Sequence, residues 1–258
     1  MKLTVVNTGS KGNCYILYND REALMLEAGA PFMEALRAVG PEVCGRIRAC
    51  LVTHEHGDHA KYVKDVLDHA IPIYATSGTI GALKGKGSRI CRPVNLRLKA
   101  EPQNDRTPWE QERIGGFDVL AFKTVHDAAS PCGFFIRHAD FGNLLFATDT
   151  YYVPAFFKDL TNILIECNYD TDMLRDRTDI PETLKKRIRT NHQSLDACVS
   201  SLLKNDLSRV NMILLIHMSE KDGNPQLFKE TVRLAVGPGH SVEAAEKGAV
   251  YEISRTPF

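Results

Sequence analysis

The segment Thr53-His-Glu-His-Gly-Asp-His59 gathers three imidazoles and a carboxylate, His54, His56, Asp58 and His59, into one short stretch. In extended backbone, side chains two apart point the same way, so His54 and His56 share a face. Gly57 permits a tight bend, which turns Asp58 and His59 towards a second point nearby. Imidazole and carboxylate without thiolate are the donors that suit zinc, manganese or iron. The chemistry expected here is metal coordination. The match is specific, because the spacing of four ligand-type residues rather than a single histidine carries it.

A metal site needs more donors, and the chain supplies them in one recurring place. His126 ends the apolar run Val119 to Val125, Asp149 follows Leu144 to Ala147 in an Ala-Thr-Asp-Thr context, and His217 ends Ile213 to Ile216. Each is a polar residue immediately beyond a buried-strand candidate, where strand termini converge at one edge of a sheet. Around this set lie weaker signals. Ser10 and Asn13, with Gly9 and Gly12, form a polar loop suited to binding phosphate through backbone N–H groups. Lys84, Lys86 and Arg89 form one basic stretch. Arg175, Arg177, Lys185, Lys186, Arg187 and Arg189 form another, leading to His192. A charge run is first of all a solvated helix face, but this one's position makes Lys185, Lys186 and Arg187 candidate contacts to a substrate backbone. Trp109 and Tyr151 are single aromatics able to stack on a base. His69, His138 and His240 have no partner pattern and read as surface or packing residues.

The elements that must position these groups are legible as periodicity. Leu3 to Val6, Cys14 to Tyr18, Ala23 to Leu26, Ile47 to Val52 and Pro72 to Ala75 read as strands. Pro31 opens a helix reaching about Val39, which Gly40 and Pro41 end. The histidine segment reads as the strand-to-helix loop before an amphipathic helix carrying Tyr62, Val63, Val66, Leu67 and Ala70 on one face. Ser77 is a candidate cap for a short helix towards Leu83, and Lys84 to Pro108 is mostly loop with room for a short strand. Strands resume at Phe117 to Val125, Cys132 to Arg137, Asn143 to Ala147 and Asn162 to Glu166. Ser194 caps a helix with Leu195, Cys198, Val199, Leu202 and Leu203 on its apolar face. Met212 to Ile216 is a further strand, Asn224 and Pro225 open another helix, and Val242 to Ala244 and Val250 to Ile253 close with strand character. Strands interrupted by helices in both halves predict two sheets with helices outside.

Composition bounds the rest. The 258 residues suit a single domain spanning 1–258, long enough to build its own core. Hydrophobic residues at 43% and charged ones at 25% exclude a disordered tail protein, a collagen-like fibre and a highly basic arm. Lys plus Arg 32 balance Asp plus Glu 32, which argues against nucleic-acid binding through bulk electrostatics and leaves a local basic groove open. The seven cysteines include no C-x-x-C pair and several lie in apolar runs, so reduced, buried thiols are expected. The longest apolar stretch, near Met212 to Met218, is far short of the ~20 residues that cross a bilayer. The N-terminus lacks a signal peptide's apolar core. A soluble, cytoplasmic protein without a membrane partner is expected.

The order H-x-H-x-D-H, then His126, then Asp149 in Thr-Asp-Thr, then His217, resembles the metallo-β-lactamase fold superfamily through nearly the whole chain. More narrowly it is similar to the YycJ/VicX-type hydrolases, on Thr8-Gly-Ser-Lys-Gly-Asn13, Val125-His-Asp-Ala128, Ile165-Glu-Cys-Asn-Tyr-Asp170, Leu184-Lys-Lys-Arg-Ile188 and Asn191-His-Gln-Ser194. The resemblance implies an αββα sandwich of two mixed sheets with helices outside and a dinuclear site at their open edge. His54, His56 and His126 would hold one metal, Asp58, His59 and His217 the second, and Asp149 would bridge them. Zinc is the first expectation for the two ions and manganese the second. Glu27 stands where the superfamily usually carries Asp, and is a candidate for orienting the histidine loop. The chain lacks room for the large inserted domain of the nucleic-acid-processing branch.

The resemblance further implies a phosphodiesterase, above all a DNA exonuclease, in which two cations ~3.5–4 Å apart supply hydroxide near neutral pH. Asp58 and His192 are the candidate catalytic residues, His192 protonating the leaving oxygen or binding phosphate. Two readings compete. One is a small-molecule hydrolase of the same fold acting on a cyclic phosphodiester, thioester or lactone, with RNA processing also open. The other is a non-catalytic metal-binding or interaction module, against which the full set of seven ligand positions argues.

Overall fold

Apolar runs without clear alternation are what strands buried on both faces require, and the computed structural model of the chain gives them that environment. It describes residues 1–83, 89, 91–99 and 111–256. Lys84, Lys86 and Trp109 lie outside the described residues. In chain order the strands are β1 (Lys2–Asn7), β2 (Cys14–Tyr18), β3 (Ala23–Leu26), β4 (Ile47–Leu51), β5 (Ile73–Thr76), β6 (Val94–Leu96), β7 (Leu98–Lys99), β8 (Glu112–Ile114), β9 (Phe117–Lys123), β10 (Cys132–His138), β11 (Gly142–Ala147), β12 (Asn162–Glu166), β13 (Met212–Ile216), β14 (Ser241–Ala244) and β15 (Val250–Glu252). The helices are α1 (Phe32–Cys44), α2 (Gly57–Ala60), α3 (Val63–Asp68), α4 (Ser77–Ala82), α5 (Thr171–Asp176), α6 (Glu182–Asn191), α7 (Leu195–Leu203) and α8 (Pro225–Val236).

One sheet runs β15-β1-β2-β3-β4-β5-β6 and the other β14-β13-β12-β11-β10-β9-β7, with β8 paired to β9. Both are mixed. In the first, β15, β1, β2 and β3 are antiparallel neighbours while β3 to β6 are parallel. In the second, β9, β10 and β11 alternate in direction and β11 to β14 run parallel. The sheets pack face to face through Leu3, Val5, Tyr15, Leu17, Leu24 and Leu26 on one side and Phe134, Ile136, Leu144, Phe146, Leu164 and Leu214 on the other. The alternate residues point outward. Ile16 and Met25 pack with Phe32, Ala35, Val63 and Val66 of the helices on the first sheet. Ile163, Ile213 and Leu215 pack with Cys198, Leu202, Phe228 and Val232 of those on the second. This is the expected αββα sandwich.

Three local expectations change. The helix opened by Pro31 does break at Gly40, whose φ of 82° leaves helical space, but Pro41 starts a further turn as far as Cys44. The cap of α4 is Thr76 rather than Ser77, its side chain accepting from the Thr79 N–H. The histidine segment is not all loop, because Gly57 opens the short helix α2 carrying Asp58 and His59. Ser194 and Asn224 cap α7 and α8 as expected. All seven cysteines are free, Cys91 alone being partly exposed. Among the described residues no helix is long and apolar enough to cross a membrane.

Candidate metal centre

Because β9 and β11 to β13 run the same way, their C-terminal ends meet at one edge of the second sheet. His126 lies three residues beyond β9, Asp149 two beyond β11, and His217 directly after β13. From the first sheet, β4 delivers His54 and His56, and α2 turns Asp58 and His59 in behind them. Three strand-end residues of the site sit at positive φ: Glu27 at 67°, Asp149 at 45° and His217 at 53°. Left-handed backbone on non-glycine residues costs roughly 1–3 kcal/mol each, and surrounding structure must hold it. Here it aims the side chain back across the sheet edge.

The donors form three clusters, two of which share Asp149 and His217: His54, His56 and His126; Asp58, His59, Asp149 and His217; and Asp149, Glu166, His192 and His217. Asp149 Oδ1 is 3.1 Å from His59 Nε2 and 3.5 Å from His217 Nε2. Its Oδ2 is 3.7 Å from His126 Nε2 and 3.8 Å from His54 Nε2. Asp58 Oδ2 lies 3.2 Å from His217 Nε2 and 3.4 Å from His59 Nε2. His54 Nε2 is buried and has no hydrogen-bond partner among the described residues. His56 Nδ1 and His126 Nε2 converge to 3.0 Å. An orphaned buried imidazole nitrogen is costly unless something binds it. Nitrogens this close match neighbouring ligands of one cation held at about 2.0–2.1 Å. The residues fit a dinuclear site.

The back sides of the ligands are held. His126 Nδ1–H donates to the Asn191 carbonyl at 3.0 Å, which leaves Nε2 facing the donor cluster. Thr148 Oγ1 donates to Asp149 Oδ1 at 2.8 Å. Glu27, fully buried, accepts from the Thr53 N–H at 3.3 Å and faces His59 Nδ1 at 3.5 Å, so the longer carboxylate does reach the histidine loop. That loop is bolted down by backbone: Asn13 N–H donates to Asp58 O and Ala28 N–H to His59 O. The approach leaves no room at Gly29, where a Cβ would lie 1.8 Å from Asp58 O and 2.4 Å from Asn13 N. Gly29→Ala should push the loop off its seat, costing at least about 1–3 kcal/mol and weakening metal uptake. Thermal unfolding and metal analysis check this, and an unchanged melting temperature with full metal content would contradict it.

Burial opposes charge throughout, yet the carboxylates win at two histidines. Against its burial, His217 is held up to about 10 by Asp149, Asp58 and Glu166. Burial also works against a charged His59, which Asp149 and Glu27 nevertheless hold well above the ordinary value. Burial pushes His54 and His126 down, with His59 adding to the effect at His54. Asp149, despite its burial, is held well below the carboxylate range by His217 and His59. Burial therefore favours neutral His54 and His126, whereas the carboxylates favour the protonated forms of His59 and His217, whose protons a bound cation would displace. Metal affinity should rise with pH across the neutral range, with proton release visible in calorimetry in buffers of differing ionisation enthalpy. The chelated protein should show the opposite trend in stability. The contribution of His217 is full below its ordinary value of 6.5 and is lost as pH rises through about 10.

Glu166 is the functional residue that sequence reasoning passed over. It ends β12, is fully buried, and its Oε1 accepts from His192 Nδ1 at 2.7 Å while lying 3.2 Å from His217 Nδ1. Its Oε2 accepts from the N–H groups of Thr150 and Gln193. The signal that picked out His126, Asp149 and His217 was a polar residue immediately beyond a buried run, and Glu166 is the last residue inside its run. Although burial opposes it, Glu166 holds His192 above its ordinary pKa. The pair is a carboxylate–imidazole dyad beside the two ligand groups.

These groups open on a cavity of about 460 Å³ lined by His56, Asp58, His126, Asp149, His192 and His217, with Ser10, Arg177, Arg187 and Lys221 at its walls. Of the substrate contacts expected from sequence, Ser10 and Arg187 line it. Asn13 does not: it is fully buried, and its amide serves Gly9, Asp58 and Tyr15 within the loop. Lys185 does not either, because its ammonium is nearly buried and donates to the Arg175 carbonyl at 2.7 Å. Lys186 is exposed on α6, outside the lining. The basic run is also largely neutralised. Arg175 pairs with Asp172 and Asp176, Arg177 with Asp179 and Asp222, Arg187 with Asp127 and Arg189 with Glu182.

With the geometry in place, likeness to known proteins decides the family. A family model described as a β-lactamase superfamily domain matches residues 25–218. The chain belongs to that superfamily. Relatives include the exodeoxyribonuclease YycJ of Bacillus anthracis, 27% identical, covering 99% of this chain and 95% of its own. The exodeoxyribonuclease WalJ of Streptococcus pneumoniae is 26% identical over 90% of this chain and 86% of its own. Similar solved structures include the metallo-β-lactamase fold protein YhfI of Bacillus subtilis, with TM-score 0.70, 16% identity and coverage of 97% and 99%. The short form of human tRNase Z gives TM-score 0.66 at 16% identity, covering 98% of this chain and 99% of its own. As a superfamily member with both ligand clusters in place, the protein is a metal-dependent hydrolase of this fold.

Proposed function

We propose that the protein is a dinuclear-metal phosphodiesterase acting on DNA as an exonuclease, with residues 1–258 forming one hydrolase unit. The observation that supports this is the Glu166-held His192 beside the donor clusters around Asp149, in a chain whose relatives over 90–99% of its length include proteins named exodeoxyribonuclease. His54, His56 and His126 would hold one cation and Asp58, His59 and His217 the other, with Asp149 shared. Five imidazoles with two carboxylates favour zinc, with manganese second. Bound there, the cations would supply Lewis acidity and lower the pKa of a water towards neutrality.

The chain's own groups do the rest. Asp58, the ligand carboxylate most open to the cavity, accepts the water's proton. Attack forms one P–O bond and breaks the P–O bond opposite. His192, its Nδ1–H committed to Glu166, gives the proton on Nε2 to the leaving oxygen. Ser10 and Arg187 contact the phosphates flanking the scissile one. Free cysteines, nearly all buried, support a reducing, cytoplasmic setting.

The ion pairing of Arg177, Arg187 and Lys221 at the mouth favours a second reading, a small phosphodiester that needs no long basic groove. RNA remains the other polymer with the same bond. A panel of labelled single- and double-stranded DNA, RNA and bis-p-nitrophenyl phosphate, assayed with zinc or manganese, separates these. The exonuclease reading expects mononucleotide release from DNA that chelator abolishes. Turnover of the small diester alone would overturn it.

A further inference from the structure

The strand ends that deliver His126 and Asp149 also carry a rim of uncovered apolar side chains. Val125 precedes His126 and is 36% exposed, and Tyr151, two residues past Asp149, is 48% exposed. Tyr152 and Phe156 on the same loop are 39% and 40% exposed. The Tyr151 N–H donates to the Val125 carbonyl at 3.0 Å, fixing the two residues side by side. The Tyr151 and Tyr152 rings meet edge to face at 5.9 Å.

This loop is not loosely packed. Val153 and Phe157 point inward and are buried in the core beneath. Val153 N–H donates to Ser201 Oγ, and Phe157 N–H to Asn205 Oδ1 at 2.8 Å. Anchored backbone therefore presents Tyr151, Tyr152 and Phe156 outward. Lys204 Nζ lies 5.6 Å from the centre of the Tyr152 ring, placing a positive charge at the patch. Clustered exposed aromatics on a rigid loop mark a binding surface rather than scattered surface residues. A flat ring carried on a phosphate backbone matches an aromatic face with an ammonium beside it.

We propose that Tyr151, with Val125 beside it and Tyr152 and Phe156 continuing the wall, stacks on an unpaired nucleobase of the strand whose phosphodiester lies at the His/Asp centre. The inference rests on the nuclease reading and adds where the strand runs beyond the cavity: over the β9 and β11 ends and α7. Stacking of this kind tolerates any base, because each has a π face.

The test compares wild type, Tyr151→Ala and Tyr151→Phe, each metal-loaded, on a single-stranded DNA oligonucleotide and on the same strand with abasic sites flanking the scissile phosphate. Tyr151→Ala should lower kcat/KM on the intact strand about 5- to 50-fold, mainly through KM, while Tyr151→Phe stays within about twofold of wild type. On the abasic strand wild type should fall to the level of Tyr151→Ala, and the substitution should cease to matter. Equal losses on both strands, or none on either, would overturn the stacking role and leave the nuclease standing. Wild type that hydrolyses bis-p-nitrophenyl phosphate but neither strand would instead overturn the nuclease reading, and this inference with it.

Discussion

Asp149→Asn should leave a folded chain that holds at most one divalent ion and has lost about a thousandfold or more of its hydrolytic activity. The reason is that each oxygen of Asp149 lies against a different pair of histidines. Oδ1 faces His59 and His217, and Oδ2 faces His54 and His126. An amide keeps one oxygen and replaces the other with N–H donors that repel a cation. Asparagine is the right substitution because the residue sits at φ 45°, a conformation that asparagine tolerates and alanine does not. In the chelated protein the same change removes the charge that holds protons on His59 and His217, and breaking such a buried pair costs about 3–5 kcal/mol. Metal analysis, hydrolysis of bis-p-nitrophenyl phosphate and thermal unfolding read the three effects. Two ions per chain with undiminished turnover would remove Asp149 from the bridging position.

The second large effect is expected at Glu166. Glu166→Gln should lower turnover of a diester with a poor leaving group by about 10²–10⁴-fold, and affect bis-p-nitrophenyl phosphate far less. A nitrophenolate leaves without help, whereas a sugar alkoxide needs the proton from His192. The carboxylate holds His192 above its ordinary pKa, so its neutralisation lowers that pKa and moves the basic limb of the pH–rate profile to lower pH. The amide also cannot satisfy both sides. Oε1 and Oε2 each accept hydrogen bonds, from His192 on one side and the Thr150 and Gln193 N–H groups on the other. One side would face an NH₂ group, a mismatch of about 1–3 kcal/mol. Because Glu166 also faces His217 Nδ1, metal content must be measured alongside. Equal losses on both substrates with full metal content would mean that Glu166 acts structurally rather than through the leaving-group proton.

The residues that failed as sequence readings share a feature. Asn13, Lys185 and the basic run were judged by side-chain type, and their roles depend on distant partners. Asn13 is consumed by Gly9 and Asp58 and Lys185 by the Arg175 carbonyl, while Arg187 pairs with Asp127 and still lines the cavity. The zero net charge argued against bulk electrostatic binding and left a local basic groove open, and ion pairing closes much of that opening. The compensation is not only global, because acids from α5 and from the 127, 179 and 222 positions neutralise the run residue by residue.

By itself the sequence determined which donors exist and on which side of each strand end they emerge. Both are local properties, set by residue type, by the two-residue alternation of strands and by the bend that Gly57 allows. It therefore yielded the candidate donors, the two sheets with helices outside and the free cysteines, while the resemblance supplied the grouping of the donors. Only the tertiary structure decided that Glu166 reaches both His192 and His217, and that Gly29 must be bare to seat the histidine loop. It also decided that Val125 and Tyr151 lie side by side and that Tyr151, Tyr152 and Phe156 stay uncovered. These are contacts between segments far apart in the chain. They depend on how two sheets stack and how their parallel strands end together, and no local pattern of residues encodes that.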